Sequence, residues 1–176
     1  MRRFCGNDRI TNEIKDQIYL LEAEASQYLW DFGKTQRYLQ NKEIDVRHFK
    51  HIEEYNCMFS SQKEIKKWLY QRGIPFQRKI FWIPYPKEGY ILTWKMLIKY
   101  NESIFLVSDE LFYDRSLNWI LIYDHDGKLN YGRDRIENSN TYSSEIGKTN
   151  QILKESEKII ASKLISPKFS KNPYLK

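Results

Sequence analysis

Two cysteines, seven glycines, five prolines and three histidines are all that 176 residues hold of the side chains most compact site chemistries need. With only Cys5 and Cys57 there is no disulfide framework and no Cys-x-x-Cys pair for zinc, so both thiols are read as reduced. His48 and His51, near Glu53, Glu54 and Cys57, form no zinc-ligand spacing, and nothing orients either histidine as a base for Cys57. The glycines are scattered and build no phosphate-cradling loop, which argues against a nucleotide cofactor. No apolar run approaches the roughly 18–20 residues that cross a bilayer. The segment from Met1 to Asp8 also lacks the apolar stretch of a signal peptide, so the expectation is a cytoplasmic chain with no membrane partner.

Aromatic side chains are abundant instead. Thirteen Tyr, nine Phe and five Trp make up 15% of the chain, far more than disordered sequences carry. One domain covering 1–176 fits this length, and such a chain buries roughly 70% of its unfolded surface. The net charge of +6 is unevenly spread. Residues 1–70 are nearly neutral, 71–100 carry 6 basic and 1 acidic side chains, 101–140 carry 4 and 8, and 141–176 carry 7 and 3. Fields of opposite sign on different parts of one surface steer charged partners.

Periodicity predicts an α+β fold with an antiparallel sheet. Asn12 would cap a helix over about 12–32, through Ile14, Ile18, Leu21, Ala25, Leu29 and Phe32, with Gly33 ending it. Residues 34–58 show irregular spacing and read as short turns and loop. Ser61 and Glu64 have capping-box spacing ahead of a helix over about 62–72, closed by Gly73. Gln77–Ile83 and Tyr90–Leu92 read as strands, Thr93 as the cap of a short helix through Tyr100, and Ile104–Val107 as a further strand. Two runs at 117–132 flank His125-Asp126-Gly127, predicting a type I′ hairpin with helices on one side of the sheet. In that hairpin Trp119, Leu121 and Tyr123 share one face and Ile120 and Ile122 the other. Residues 133–148 read as loop, 150–164 as a last helix, and the stretch from about 166 as a basic tail.

Two residue sets invite a functional reading. Asp109, Glu110, Asp114, Asp124 and Asp126 form an acidic group on loops and strand ends, where carboxylates would hold a hard cation such as Mg²⁺ in a metal-dependent nuclease. Turn geometry already accounts for Asp124 and Asp126, so no metal is assigned. Arg72, Arg78, Lys79, Phe81, Trp82, Tyr85, Lys87, Tyr90, Trp94, Lys95 and Lys99 mix cations with aromatics, as nucleic-acid-binding surfaces within 72–99 would. Tyr, Trp and Arg also anchor protein interfaces, which is the competing use of such residues.

The run Gly89-Tyr90-Ile91-Leu92-Thr93-Trp94-Lys95, the bend Ser108-Asp109-Glu110, the segment Trp119 to Gly127 and the pair Tyr131-Gly132 together resemble the core of small bacterial immunity proteins. The likeness covers roughly 74–133 and implies a cytoplasmic α+β protein, encoded beside a toxin of interbacterial competition, that neutralises the toxin by binding it. It implies no catalysis and no cofactor. Nuclease-toxin inhibitors are often acidic, whereas this chain is basic overall, so the acidic region around 109–126 becomes the expected inhibitory face. Asp109, Glu110, Asp114, Asp124 and Asp126 would then meet basic toxin residues, with Tyr113 or Tyr123 as aromatic anchors.

Overall fold

The computed structural model describes residues 18–37, 43–105, 109–138 and 140–165, with backbone only beyond Ile159. In chain order the elements are β1 (Tyr19–Leu20), α1 (Ala23–Thr35), β2 (Phe49–Asn56), α2 (Gln62–Tyr70), β3 (Lys79–Tyr85), β4 (Glu88–Thr93), α3 (Trp94–Ile104), β5 (Glu110–Tyr113), β6 (Trp119–Tyr123), β7 (Lys128–Arg135) and α4 (Ser143–Ile165). All seven strands join one antiparallel sheet in the order β1-β4-β3-β5-β6-β7-β2. The α+β expectation holds, and the hairpin lies at the predicted place.

The alternation expected of β6 extends through the sheet. Ile80 and Trp82 of β3, Tyr90 and Leu92 of β4, and Trp119, Leu121 and Tyr123 of β6 pack with Ile65, Trp68 and Leu69 of α2 and Trp94, Met96 and Leu97 of α3. Phe81, Ile83, Ile91, Ile120 and Ile122 point the other way, onto Leu29 of α1 and Ile152 and Leu153 of α4. Helices therefore cover both faces, not the single face expected. The cause is visible in β3, whose consecutive apolar residues leave neither side fit for water.

Local hydrogen-bond chemistry decides the helix starts that were foreseen. The Glu64 N–H donates to Ser61 Oγ (3.3 Å) while the Ser61 N–H donates to Glu64 Oε2 (2.7 Å), completing the capping box of α2. Thr93 Oγ1 accepts from the Met96 N–H at 3.3 Å and starts α3.

Four expectations are corrected. The first helix begins at Ala23, because Tyr19 and Leu20 pair with Ile91 and Tyr90 and the Leu21 N–H donates to the Gly89 carbonyl; residues 12–17 lie outside the described residues. Ile18 and Leu21 satisfy a helical period by coincidence, being buried on opposite faces of the sheet. Gly33 does not end that helix. It sits inside α1 where a Cβ would come 2.5 Å from Leu111 Cδ1, so it is a close-approach glycine. Residues 49–56, read as loop, form edge strand β2, paired with β7 from Phe49↔Arg135 to Asn56↔Lys128. Ile104 closes α3 rather than opening a strand, and the strand that follows is Glu110–Tyr113; residues 106–108 lie outside the described residues. In addition, β7 and α4 extend into the predicted 133–148 loop. The tail from 166 lies outside the described residues.

Candidate partner-binding surface at the hairpin end

The β6–β7 connection is a three-residue loop. The Gly127 N–H donates to the Asp124 carbonyl (3.1 Å) and the Asp124 N–H to the Lys128 carbonyl (2.9 Å). Gly127 alone in the loop has positive φ, +79°. A type I′ turn needs it at two successive positions, so this is the bulged alternative, in which Gly supplies the single left-handed residue. Asp124 Oδ1 accepts the N–H groups of Asp126 (3.0 Å) and Lys128 (2.9 Å), so that carboxylate is used by the turn.

Most of the other predicted contact residues are likewise spent inside the fold. Glu110 is fully buried and accepts from Trp82 Nε1 at 3.1 Å. Tyr113 is buried and donates its hydroxyl to the Leu29 carbonyl, and burial raises its pKa well above the usual phenol value. Asp114 lies at the opposite end of β5, where it accepts from the Ser116 N–H at 2.9 Å and sits 3.6 Å from Arg78 Nε. Tyr123 is buried against Phe105, the rings 4.8 Å apart and 12° from parallel. Asp109 lies between Arg37 (3.8 Å) and His125 Nδ1 (3.0 Å). Asp126 remains, its side chain 72% exposed at the tip of the turn. Asp109, Glu110, Tyr123, Asp124 and Asp126 thus share one end of the sheet without forming one acidic face.

What this end does present is apolar. The Cys57 N–H donates to the Gly127 carbonyl (2.8 Å), bringing the end of β2 beside the hairpin. The chain then turns tightly: the Met58 N–H donates to Asn56 Oδ1 (2.9 Å) and Ser60 Oγ to the Asn56 carbonyl (2.8 Å). That turn holds Met58 64% and Phe59 87% exposed. Adjacent large apolar side chains held out to solvent make this turn the candidate contact point of the hairpin end. The apolar pair inside an otherwise polar segment was the signal that charge-based reading passed over.

Between this turn, the hairpin, the start of α2 and the end of α3 lies a cleft of about 370 Å³, lined by residues including Gln62, Asn101, Glu102, Phe105, Tyr123 and Asp126. Helix α3 kinks at Tyr100 (φ −114°, ψ 22°), next to Asn101 of the cleft lining. Asn101 is 1% exposed; its Nδ2 donates to the Ile98 carbonyl (2.7 Å), and its Oδ1 meets no donor. Gln62 Oε1 is buried and unmet as well. Leaving a buried acceptor without a donor costs about 1–3 kcal/mol.

The remaining candidates are dispersed. His48 pairs with Glu137, Glu53 with Arg72 and Glu54 with Lys128, and no group of three metal-ligating side chains occurs among the described residues. Burial pushes the Cys57 thiol up to about 12, so it stays protonated at neutral pH. In the basic stretch, Phe81, Trp82, Tyr90 and Trp94 are core residues, leaving Tyr85 as the exposed aromatic of that set. Arg72 lies over the Trp68 ring at 4.2 Å. No described helix is long and apolar enough to cross a membrane. Compared with protein-family models, with curated proteins and with solved structures, the chain matches none.

Proposed function

We propose that this chain is a non-enzymatic, immunity-type protein that neutralises a partner toxin by binding it, using the hairpin end of the sheet. The observation that carries the reading is the exposed Met58–Phe59 pair, held by a hydrogen-bonded turn beside an exposed carboxylate, Asp126, and a cleft. Apolar anchors supply affinity once desolvated, and flanking charge supplies orientation and encounter rate. The inhibitory face expected from acidity alone is thereby redrawn: Asp126 stays in it, Asp109 and Tyr123 border it, and Glu110, Tyr113, Asp114 and Asp124 serve the fold.

A nucleic-acid-binding role for residues 72–99 draws less support, since four of its six aromatics, Phe81, Trp82, Tyr90 and Trp94, are buried in the core, leaving Phe76 and Tyr85 exposed. The test is a pull-down of the full chain with the product of the neighbouring gene, followed by Phe59→Asp with Met58→Lys. The double variant should fold as the parent does and bind at least about thirtyfold more weakly, the loss of roughly 2 kcal/mol typical of a central anchor. Unchanged binding by the variant, or no stable protein partner, would overturn the reading. So would tight binding to single- or double-stranded nucleic acid that falls steeply with salt.

A further inference from the structure

Edge strand β2 carries a polar pattern that is complementary to its own reverse. Around Ile52 stand two donors on one side, Lys50 and His51, and two carboxylates on the other, Glu53 and Glu54. The strand pairs with β7 along one edge and with no strand along the other among the described residues. Lys50, His51 and Glu54 are exposed, and Ile52 between them is 36% exposed.

The backbone of the same segment has hydrogen-bonding groups to offer. In an antiparallel ladder only alternate residues exchange bonds with a given neighbour. The Cys57 N–H donates to the Gly127 carbonyl (2.8 Å), in register with Tyr55↔Leu129 and Glu53↔Tyr131, so these odd-numbered residues bond to β7. The Asp124 N–H donates to the Lys128 carbonyl (2.9 Å), which turns the even-numbered residues of β7 toward β6 and agrees with that phase. The N–H and carbonyl groups of Ile52 and Glu54 consequently point outward. The ladder skips Lys50, opposite Asp134 with φ +59°, so the regular edge starts at His51.

We infer that β2 is a homodimer edge, pairing antiparallel with β2 of a second copy of this chain about a two-fold axis at Ile52. The two Ile52 residues then exchange backbone hydrogen bonds, His51 stands opposite Glu53 of the copy, and the Lys50 side chain meets Glu54 of the copy. Charge on an edge keeps unrelated strands away, and here it also selects one register. An axis at Glu53 or Glu54 sets like carboxylates face to face, and an axis at His51 sets Lys50 against Ile52. Within the chain Glu54 pairs with Lys128 (3.3 Å) and Glu53 with Arg72, yet both carboxylates stay half-exposed and can each accept from a second donor. The axis at Ile52 sends the two Met58–Phe59 turns to opposite ends of the joined sheets, roughly 40 Å apart at about 3.4 Å per residue, so each copy keeps its proposed contact end free.

Sedimentation equilibrium of the full chain tests this. The parent should show a reversible monomer–dimer equilibrium, with dimer predominating at hundreds of micromolar. Lys50→Glu and Glu54→Lys each set like charges opposite one another and should weaken dimerisation about tenfold or more, with circular dichroism unchanged. Mixed one to one, the two variants should form a heterodimer about as tightly as the parent pairs with itself, because positions 50 and 54 are then again of opposite sign across the axis. A parent that stays monomeric at about 1 mM, a dimer that both variants leave unchanged, or a mixture no more associated than its components would overturn the assignment. So would loss of toxin binding by both variants in a chain that stays monomeric, which would give the edge to the toxin. The Phe59→Asp, Met58→Lys double variant should dimerise as the parent does, so the homodimer and the proposed function fail separately.

Discussion

The two ends of the sheet treat buried polar groups in opposite ways. At the end where β7 finishes, Arg135 is buried and hydrogen-bonded: Nε donates to the Leu117 carbonyl (2.7 Å) and Nη1 to Gln36 Oε1 (2.6 Å) and Glu137 (3.4 Å). The guanidinium also lies 4.7 Å from the Phe49 ring and 4.9 Å from that of Tyr142. Burial lowers its pKa from the usual arginine value, and the Glu137 carboxylate offsets part of that shift. At the hairpin end, the Asn101 Oδ1 and Gln62 Oε1 atoms are buried and meet no donor, near exposed apolar side chains. A satisfied buried network holds a fold together, whereas each unmet buried group is a local cost to it.

The sharpest way to break this contrast is to delete one group from each end. Arg135→Met should cost about 3 kcal/mol, because it strands the Leu117 carbonyl and Gln36 Oε1 in the interior; urea denaturation would show a lower midpoint with an unchanged slope. Asn101→Leu replaces a half-satisfied amide by an apolar group of similar shape, so its unfolding free energy should stay within about 1 kcal/mol of the parent. A large loss at Asn101 together with a small one at Arg135 would reverse the assignment of the two ends.

The smallest effect concerns the capping box that opens α2 immediately before Gln62. Hydrogen bonds from the Ser61 hydroxyl and N–H hold the Glu64 carboxyl below its usual 4.5. A carboxyl lowered in the folded state stabilises the fold above its unfolded pKa, and that contribution fades as pH falls through the lowered value. The melting temperature of Glu64→Ala should therefore lie slightly below the parent at neutral pH and converge with it in acid. A constant difference down to pH 3 or so would show that the carboxylate is not the cause.

What was legible in the amino-acid order was local. The capping box, the Thr93 cap and the Asp126-Gly127 loop each join groups two to four residues apart, so short-range hydrogen bonds specify them. Edge strand β2 was hidden because Lys50, His51, Glu53 and Glu54 break the apolar rhythm, as charged residues on an exposed edge do. Ile18 and Leu21 misled because residues three apart share a helical face yet also fall on opposite faces of a strand. The acidic set was chosen by charge, and charge alone does not report that Glu110 meets Trp82 or that Asp124 closes its own turn.

Composition and pattern were enough for the α+β class, the position of the hairpin and the helix caps at Ser61 and Thr93, since hydrophobic period and turn chemistry act over a few residues. Which polar groups end inside with a partner, which inside without one, and which outside depends on strands and helices far apart in the chain. Arg135 reaches Gln36, and the wall holding Asn101 is completed by Gln62 and the hairpin. Only packing brings those groups together, and so only the tertiary structure turned an acidic segment into a supporting frame and a neighbouring apolar turn into the candidate contact surface.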